Sequence, residues 1–336
     1  MSKLAKVAIA TFTVDQPVLP AKERRTIPSK EDVIAFYRTH ERLSWSLTEV
    51  LDLDWHEIQI DALTPTDIDV VETALLVESN NPDYVAELLD YFKADADVCD
   101  FLMMWGIEEW KHYYALYDYL TKVQVALAAR LDGGGEEHAG EHLLELKRAV
   151  EAALDEKISN VRATSETNWG IPDNYAPVQV VANTTLQEFI TADFYRNHAA
   201  HTQEPVLAKI ESLLAKDETR HEMFYEERMK DCLIADPDLM PLVIDALKEF
   251  GMPGTYLLDD YSERQAAIEQ AAFPTLADRK DAFVRLFAKV TRLVGRDNAL
   301  RVFSEGHYLS AGLDERAQKR LRPELITRLI TRKLGA

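Results

Sequence analysis

The sequence predicts an all-α bundle built from two copies of a helix pair. Three observations carry that prediction. Apolar residues recur at steps of three and four through most of the chain, while β-branched clusters with period-two alternation are scarce. Proline is absent from residues 83–171, 178–204, 206–236 and 275–322, which leaves long uninterrupted stretches for helices. A five-residue pattern of acids, a cation and a histidine occurs twice, and each copy lies on a helical apolar stripe.

The elements can be read in order. Thr64-Pro65-Thr66-Asp67 places a capping hydroxyl before a proline at the first helical position. A long helix begins near residue 98 and ends at Gly133-Gly134-Gly135. An insert of about 132–170 follows, with an acidic glycine-rich stretch (Glu136, Glu137, His138, Glu141, His142) that reads as a solvated loop, and then a short helix over 143–158. Ala176-Pro177 opens another helix. We read residues 1–336 as a single helical domain carrying that insert.

Composition narrows the class. Of 336 residues, 47% are hydrophobic and 29% charged, which suits a globular chain with a sizeable core. No run approaches the roughly 20 apolar residues of a membrane span. The N-terminal apolar run, Val7–Ala10, is too short for a secretory signal. Cys99 and Cys232 are the only cysteines, which argues against a disulfide scaffold and fits a reducing cytoplasm. A net charge of −20 disfavours nucleic acid as a partner. Against that background, Arg316 to Ala336 holds seven basic residues and one acid, a candidate docking patch for an acidic partner.

The repeated pattern is (Asp/Glu)-Glu-x-(Lys/Arg)-His: Glu108-Glu109-Trp110-Lys111-His112 and Asp217-Glu218-Thr219-Arg220-His221. A bare Glu-x-x-His would occur about once by chance, but two copies of the full pattern have a chance probability on the order of one in ten thousand. Residues three apart share a helix face, so each Glu and His can reach one metal ion together. Leu102, Trp105, Glu109, His112 and Leu116 form one stripe; Leu214, Glu218, His221 and Tyr225 form another. An ionised glutamate aimed into a core is costly unless something pairs with it, and a metal ion is such a partner. Carboxylate with neutral imidazole suits iron, manganese or zinc. Bundles that hold two metals add one Glu from each of two further helices. Glu78, on the stripe Val71, Ala74/Leu75, Glu78, and Glu188, on the stripe Val181, Thr184, Glu188, Thr191, Tyr195, complete the order Glu, Glu-x-x-His, Glu, Glu-x-x-His.

At these residues the sequence resembles the soluble acyl-acyl-carrier-protein desaturases, of plant plastid and mycobacterial type, from about residue 40 onward. Glu78-Ser-Asn-Asn-Pro-Asp-Tyr84 is similar to the family's Glu-Glu-Ala-Leu-Pro-Thr-Tyr, Glu108–His112 to Glu-Glu-Asn-Arg-His, Gln187–Thr191 to Gln-Glu-x-x-Thr, and Asp217–Glu222 to Asp-Glu-Lys-Arg-His-Glu. Arg196-Asn197 matches an Arg-Asn of the bacterial members. The resemblance implies a ferritin-like fold and two iron ions held by Glu78, Glu109, His112, Glu188, Glu218 and His221, with Glu109 or Glu218 bridging. It implies a hydroxyl role for Thr191 near the reacting oxygen and an orienting role for Asp217 behind a histidine. It also implies an electron-path tryptophan, for which Trp55 is the positional candidate. The implied activity belongs to fatty acid biosynthesis: O2-dependent introduction of a double bond into an acyl chain on acyl carrier protein, with electrons from a ferredoxin-type donor and a homodimeric enzyme. The sequence departs from the plant pattern in the longer segment between His112 and Glu188 and in Val77, where the plant motif has Thr.

Two other activities share the ligand layout. A di-iron oxygenase that hydroxylates or otherwise oxidises a carrier-bound substrate would use the same oxidant with different substrate placement. A ribonucleotide reductase small subunit would use Asp as first ligand and often a radical Tyr four residues after the first His; this chain has Glu78 and Leu116 there.

Overall fold

The computed structural model describes residues 44–51, 57–131, 139–164 and 175–306. Among these there is no strand. The helices are α1 (Leu47–Leu51), α2 (Pro65–Glu78), α3 (Asn81–Tyr91), α4 (Ala96–Leu131), α5 (Ala139–Thr164), α6 (Pro177–His201), α7 (Pro205–Ala235), α8 (Met240–Glu249), α9 (Gly254–Leu257), α10 (Tyr261–Ala272), α11 (Leu276–Val294) and α12 (Arg296–Glu305). This is the all-α, ferritin-like arrangement expected: α2, α4, α6 and α7 form the central bundle and the remaining helices pack around it.

Local chemistry fixes where each central helix starts and stops. At the start of α2, Thr64 and Asp67 form a reciprocal capping box. Its end is set just as firmly. Ser79 Oγ and Asn80 Nδ2 donate to Leu76 O at 2.7 and 3.0 Å, and Tyr84 Oη donates to Val77 O at 2.8 Å. These side chains satisfy the last-turn carbonyls, and Pro82 then opens α3 in a new direction. Glu78 is thereby left as the last residue of α2, on its buried face. At Gly106, Asn81 Nδ2 donates to the carbonyl at 2.8 Å, and a Cβ would come 2.9 Å from Val85 Cγ2; only glycine lets α3 lie this close to α4.

Two further differences from the sequence reading concern lengths. The long helix runs 96–131 and so begins two residues before the expected start. The helix expected over 143–158 is Ala139–Thr164, 26 residues long. Leu154 and Ile158 are buried with Leu116, Tyr119 and Val123 of α4, so this helix is a packed layer of the bundle. Its charged outer face, rich in Glu, Lys and Arg, obscured the stripe in sequence. The glycine-rich stretch 132–138, Trp55 and the basic segment Arg316–Lys333 lie outside the described residues.

The core has two apolar clusters. One holds Leu102, Trp105, Val181, Leu186 and Tyr225; the other holds Val71, Leu75, Leu116, Tyr195 and Leu214. On each central helix the sequence steps from an apolar cluster to a charged residue: Leu75 to Glu78, Trp105 to Glu109, Leu186 to Glu188, Leu214 to Glu218. A polar layer is therefore enclosed between apolar walls.

Farther along the bundle lies a second buried ionic group. His198 (α6) sits with Nδ1 2.6 Å from Glu211 Oε1 (α7) and Nε2 3.1 Å from Asp67 Oδ1 (α2). Burial pulls the His198 imidazole down, but its two carboxylate partners overcome this and raise it to about 9. A pKa raised above its unfolded value stabilises the fold fully below that value, near 6.5, and the contribution is lost as pH climbs through about 9. Unfolding free energy measured by urea titration is expected to fall between pH 6.5 and 9 by an amount on the order of 2–3 kcal/mol that is missing in His198→Gln. Equal slopes in the two proteins would contradict the assignment.

Candidate metal centre

The enclosed layer contains all six side chains expected as ligands. Glu78, Glu109, His112, Glu188, Glu218 and His221 are each 6% exposed or less. They form two overlapping quartets, Glu78–Glu109–His112–Glu218 and Glu109–Glu188–Glu218–His221. Within each quartet one oxygen or nitrogen per residue lies within 4.8 Å of all the others. Glu109 and Glu218 belong to both quartets. His112 Nδ1 lies 3.4 Å from Glu109 Oε2 and from Glu218 Oε1; His221 Nδ1 lies 3.1 Å from Glu109 Oε1 and 3.6 Å from Glu188 Oε2.

The outer face of each imidazole is held by an acid from the opposite motif. His112 Nε2 is 3.2 Å from Asp217 Oδ2, and His221 Nε2 is 2.8 Å from Glu108 Oε2. An ionised carboxylate only accepts, so each imidazole donates from Nε2 to its outer acid, which leaves Nδ1 facing inward, where a metal ion would take its lone pair. Both acids are gripped in turn. Arg220 Nη2 donates to Glu108 Oε1 at 2.5 Å and to Asp217 Oδ1 at 2.6 Å. Lys111 Nζ lies 3.7 Å from Glu108 and 3.5 Å from Asp217. Every specified position of the repeated pattern therefore has a physical task. The second acid and the histidine face inward, the first acid orients the other copy's histidine, and the cation holds the orienting acids.

Formal charge then shows what the layer needs. Four inner glutamates and two outer acids carry six negative charges, and Lys111 and Arg220 return two. With neutral imidazoles the remainder is −4, which two divalent cations would cancel. Among themselves the buried groups are poorly matched. Burial, then the neighbouring Glu109 for Glu78 and Glu218 for Glu188, pushes both carboxyls well above the usual range. Burial pulls the imidazoles down, yet the carboxylates around them, led by Glu109 at His112 and Glu108 at His221, hold them well above theirs. Three inward atoms, Glu109 Oε1, Glu188 Oε1 and His112 Nδ1, are buried with no hydrogen-bond partner. An orphaned buried acceptor is costly, and a cation satisfies it. Four carboxylates and two imidazoles, with no thiolate, form a donor set that fits iron.

Comparison with known proteins agrees with this layout. A profile of the family described as fatty acid desaturase matches residues 70–285, which include all six inner residues. The chain belongs to the fatty acid desaturase family. Proteins from two Mycobacterium tuberculosis strains, CDC 1551 / Oshkosh and H37Rv, carry the name "Putative acyl-acyl-carrier-protein desaturase DesA2". Each is 27% identical over 180 residues, 54% of this chain and 55% of its own length, so the match spans about half of these relatives.

Other residues of this desaturase-family chain can now be placed. Thr191 lies half-buried one turn after Glu188. Thr184 and Thr185 donate their hydroxyls to Val180 O and Val181 O, whereas the Thr191 hydroxyl has no partner among the described residues. Leu116 is buried and apolar at the position that a radical tyrosine would take. Two residues escaped the sequence reading. Glu108 is the positional twin of Asp217 in the repeat, and that symmetry was the available signal. Trp45 is buried and stacks on His112 with centroids 6.4 Å apart and planes 9° apart, and Lys111 Nζ stands 4.5 Å from the Trp45 ring centroid. No motif surrounds Trp45, so only the fold could reveal it.

Anaerobic calorimetric titration with Fe2+ is expected to give two ions per chain and, at about 100 times Kd, about 2.7 kcal/mol of added stability per site. Glu188→Ala should reduce the stoichiometry to one, and Asp217→Ala should weaken binding about 10–100-fold. Full two-ion uptake by Glu188→Ala would remove that residue from the ligand set.

Proposed function

We propose that this chain is an O2-dependent di-iron desaturase that introduces a double bond into a fatty acyl chain on acyl carrier protein. The observation that carries the reading is the pair of buried quartets sharing Glu109 and Glu218 in a chain of the desaturase family. The two M. tuberculosis relatives bear an acyl-acyl-carrier-protein desaturase name, which supports the carrier-bound substrate.

Glu78 and His112 would hold one iron, Glu188 and His221 the other, and Glu109 and Glu218 would lie between them. When bound, the two irons supply the electrons and the O2 activation needed to take hydrogen from an unactivated C–H bond. The chain's own residues set the conditions. Glu108 and Asp217 would fix both imidazoles in the ligating tautomer, and Arg220 and Lys111 hold those acids in place. The apolar clusters on both sides exclude bulk water, which strengthens every charge interaction inside. The Thr191 hydroxyl is free to donate a hydrogen bond near Glu188. Trp45 packs against His112, and a ferredoxin-type donor would supply the electrons. Overall, two electrons, two protons and O2 convert two adjacent CH2 groups into CH=CH and release two waters.

The homodimer implied by the resemblance has a candidate face. Met103, Ile107 and Tyr114 are 55%, 62% and 49% exposed on the side of α4 opposite His112. Burying such a stripe against a second copy would remove apolar area from water. Among the described residues no helix is long and apolar enough to cross a membrane.

The reaction is tested by anaerobic reduction, addition of acyl-loaded carrier protein, admission of O2 and mass spectrometry of the acyl group. Loss of two mass units is expected; a gain of sixteen would favour the hydroxylating alternative, and an unchanged mass would reject both. Ile107→Glu should convert the dimer to monomer in sedimentation analysis while leaving helix content unchanged, and an unaltered sedimentation coefficient would reassign the stripe.

A further inference from the structure

The bundle holds two polar layers, and both draw on the same four helices. The metal layer takes Glu78 from α2, Glu109 and His112 from α4, Glu188 from α6, and Glu218 and His221 from α7. The second takes Asp67 from α2, Tyr119 from α4, His198 from α6 and Glu211 from α7, each 5% exposed or less. Between the layers in sequence, one helix after another, stand Leu75, Leu116, Tyr195 and Leu214, all members of one apolar cluster. Three of them are leucines. The fourth carries a hydroxyl.

That hydroxyl feels both layers. Tyr195 Oη stands 3.4 Å from Glu78 Oε1. Burial, followed by the charges of Glu78, Glu218, Glu211 and Glu109, holds it well above the usual phenol range, so it keeps its proton. Glu211 is the one second-layer residue in that group. Its Oε1 lies 2.6 Å from His198 Nδ1, while its Oε2 is buried with no hydrogen-bond partner. A buried carboxylate oxygen left open is costly until a proton or a donor reaches it.

The other side of the second layer meets solvent. His198 Nε2 is 3.1 Å from Asp67 Oδ1, and the exposed Thr64 donates its hydroxyl to Asp67 Oδ2 at 2.6 Å. The Phe194 ring stacks on His198 with centroids 6.0 Å apart. Tyr119, donating to Glu204 Oε2 at 2.7 Å, completes the layer; burial, Glu204 and the charges of Asp67 and Glu211 hold its hydroxyl above the usual range. Groups that can hold or pass a proton therefore follow one another from the surface to the metal layer: Thr64, Asp67, His198, Glu211, Tyr195.

We infer that His198, Glu211 and Tyr195 form the proton supply of the metal centre, with Thr64 and Asp67 as its entry. The inference rests on the O2-dependent reading above, in which each turnover consumes two protons inside a core that excludes bulk water. Only protons move, and no group on the route changes oxidation state. The His198 Nδ1–H bond breaks as a Glu211 O–H bond forms. That bond breaks in turn as the Tyr195 oxygen takes the proton and releases its own on the Glu78 side, where oxygen is reduced to water. A half-turn of the imidazole then presents its bare nitrogen to Asp67, which passes on a proton from solvent.

The test reads proton uptake, without acyl substrate, in the iron-loaded protein. An electron brought into a buried layer is offset by a proton, so reduction draws protons from solvent. Reduced methyl viologen supplies electrons and no protons, and a pH-indicator dye follows uptake in stopped flow over about pH 6 to 10. The imidazolium is loaded at low pH and empties as pH climbs through about 9, so the wild-type rate should fall there. Tyr195→Phe and His198→Gln should still bind two irons but take up protons about tenfold or more slowly at neutral pH, and His198→Gln should lose the fall near pH 9. A structural role alone would lower stability or iron content and leave the rate and pH profile of the loaded protein unchanged. Tyr195→Phe, which loses a single hydroxyl from an apolar surround, decides the matter if His198→Gln does not fold. Wild-type uptake rates in Tyr195→Phe, or in folded His198→Gln, would overturn the proposal and leave the desaturase reading standing. Because uptake is read without turnover, a wild-type protein with the expected profile that forms no unsaturated product would defeat the desaturase reading and leave the proton route standing.

Discussion

Four glutamates buried at one level of a helical bundle are the constraint around which the rest of this structure is arranged. Each ionised carboxylate removed from water costs several kcal/mol unless its charge is met, and nothing in the inner layer except two imidazoles is available to meet it. The apolar clusters above and below cannot help, because they supply no donors. The fold tolerates this layer because charge compensation is distributed outward in steps: inner acids to histidines, histidines to Glu108 and Asp217, and those acids to Arg220 and Lys111. What remains after that compensation is the charge of two divalent cations.

The reciprocal crossing of the two motifs matters for precision. If each histidine were oriented by an acid of its own helix, the two half-sites could drift apart as α4 and α7 slide. Because Asp217 of α7 orients His112 of α4, and Glu108 of α4 orients His221 of α7, sliding would break both contacts at once. The single Arg220 guanidinium between the two acids locks the crossing. Trp45, just before α1, and Lys111 of α4 close the same corner.

Much of this arrangement was legible in the residues themselves. A Glu-x-x-His repeat on an apolar stripe is a contradiction unless a metal resolves it, and that contradiction identified Glu109, His112, Glu218 and His221 before any coordinates. Glu78 and Glu188 needed the repeat order as well, since a single glutamate on a stripe carries little information. Features that depend on helices meeting were not legible. Spacing within α4 cannot say that Glu108 faces a histidine from α7, and nothing around Trp45 marks it as a stacking partner. The charged outer face of α5 hid the length of that helix, because tertiary packing of Leu154 and Ile158 outweighs a weak local pattern.

The central claim is that six side chains hold two irons between Glu109 and Glu218. Anomalous diffraction at the iron edge, from crystals of the iron-loaded protein, addresses it most directly. The account predicts two iron peaks inside the bundle, one beside Glu78 and His112 and the other beside Glu188 and His221, with both central glutamates in contact with each. A single peak, or iron bound away from this layer, would contradict it.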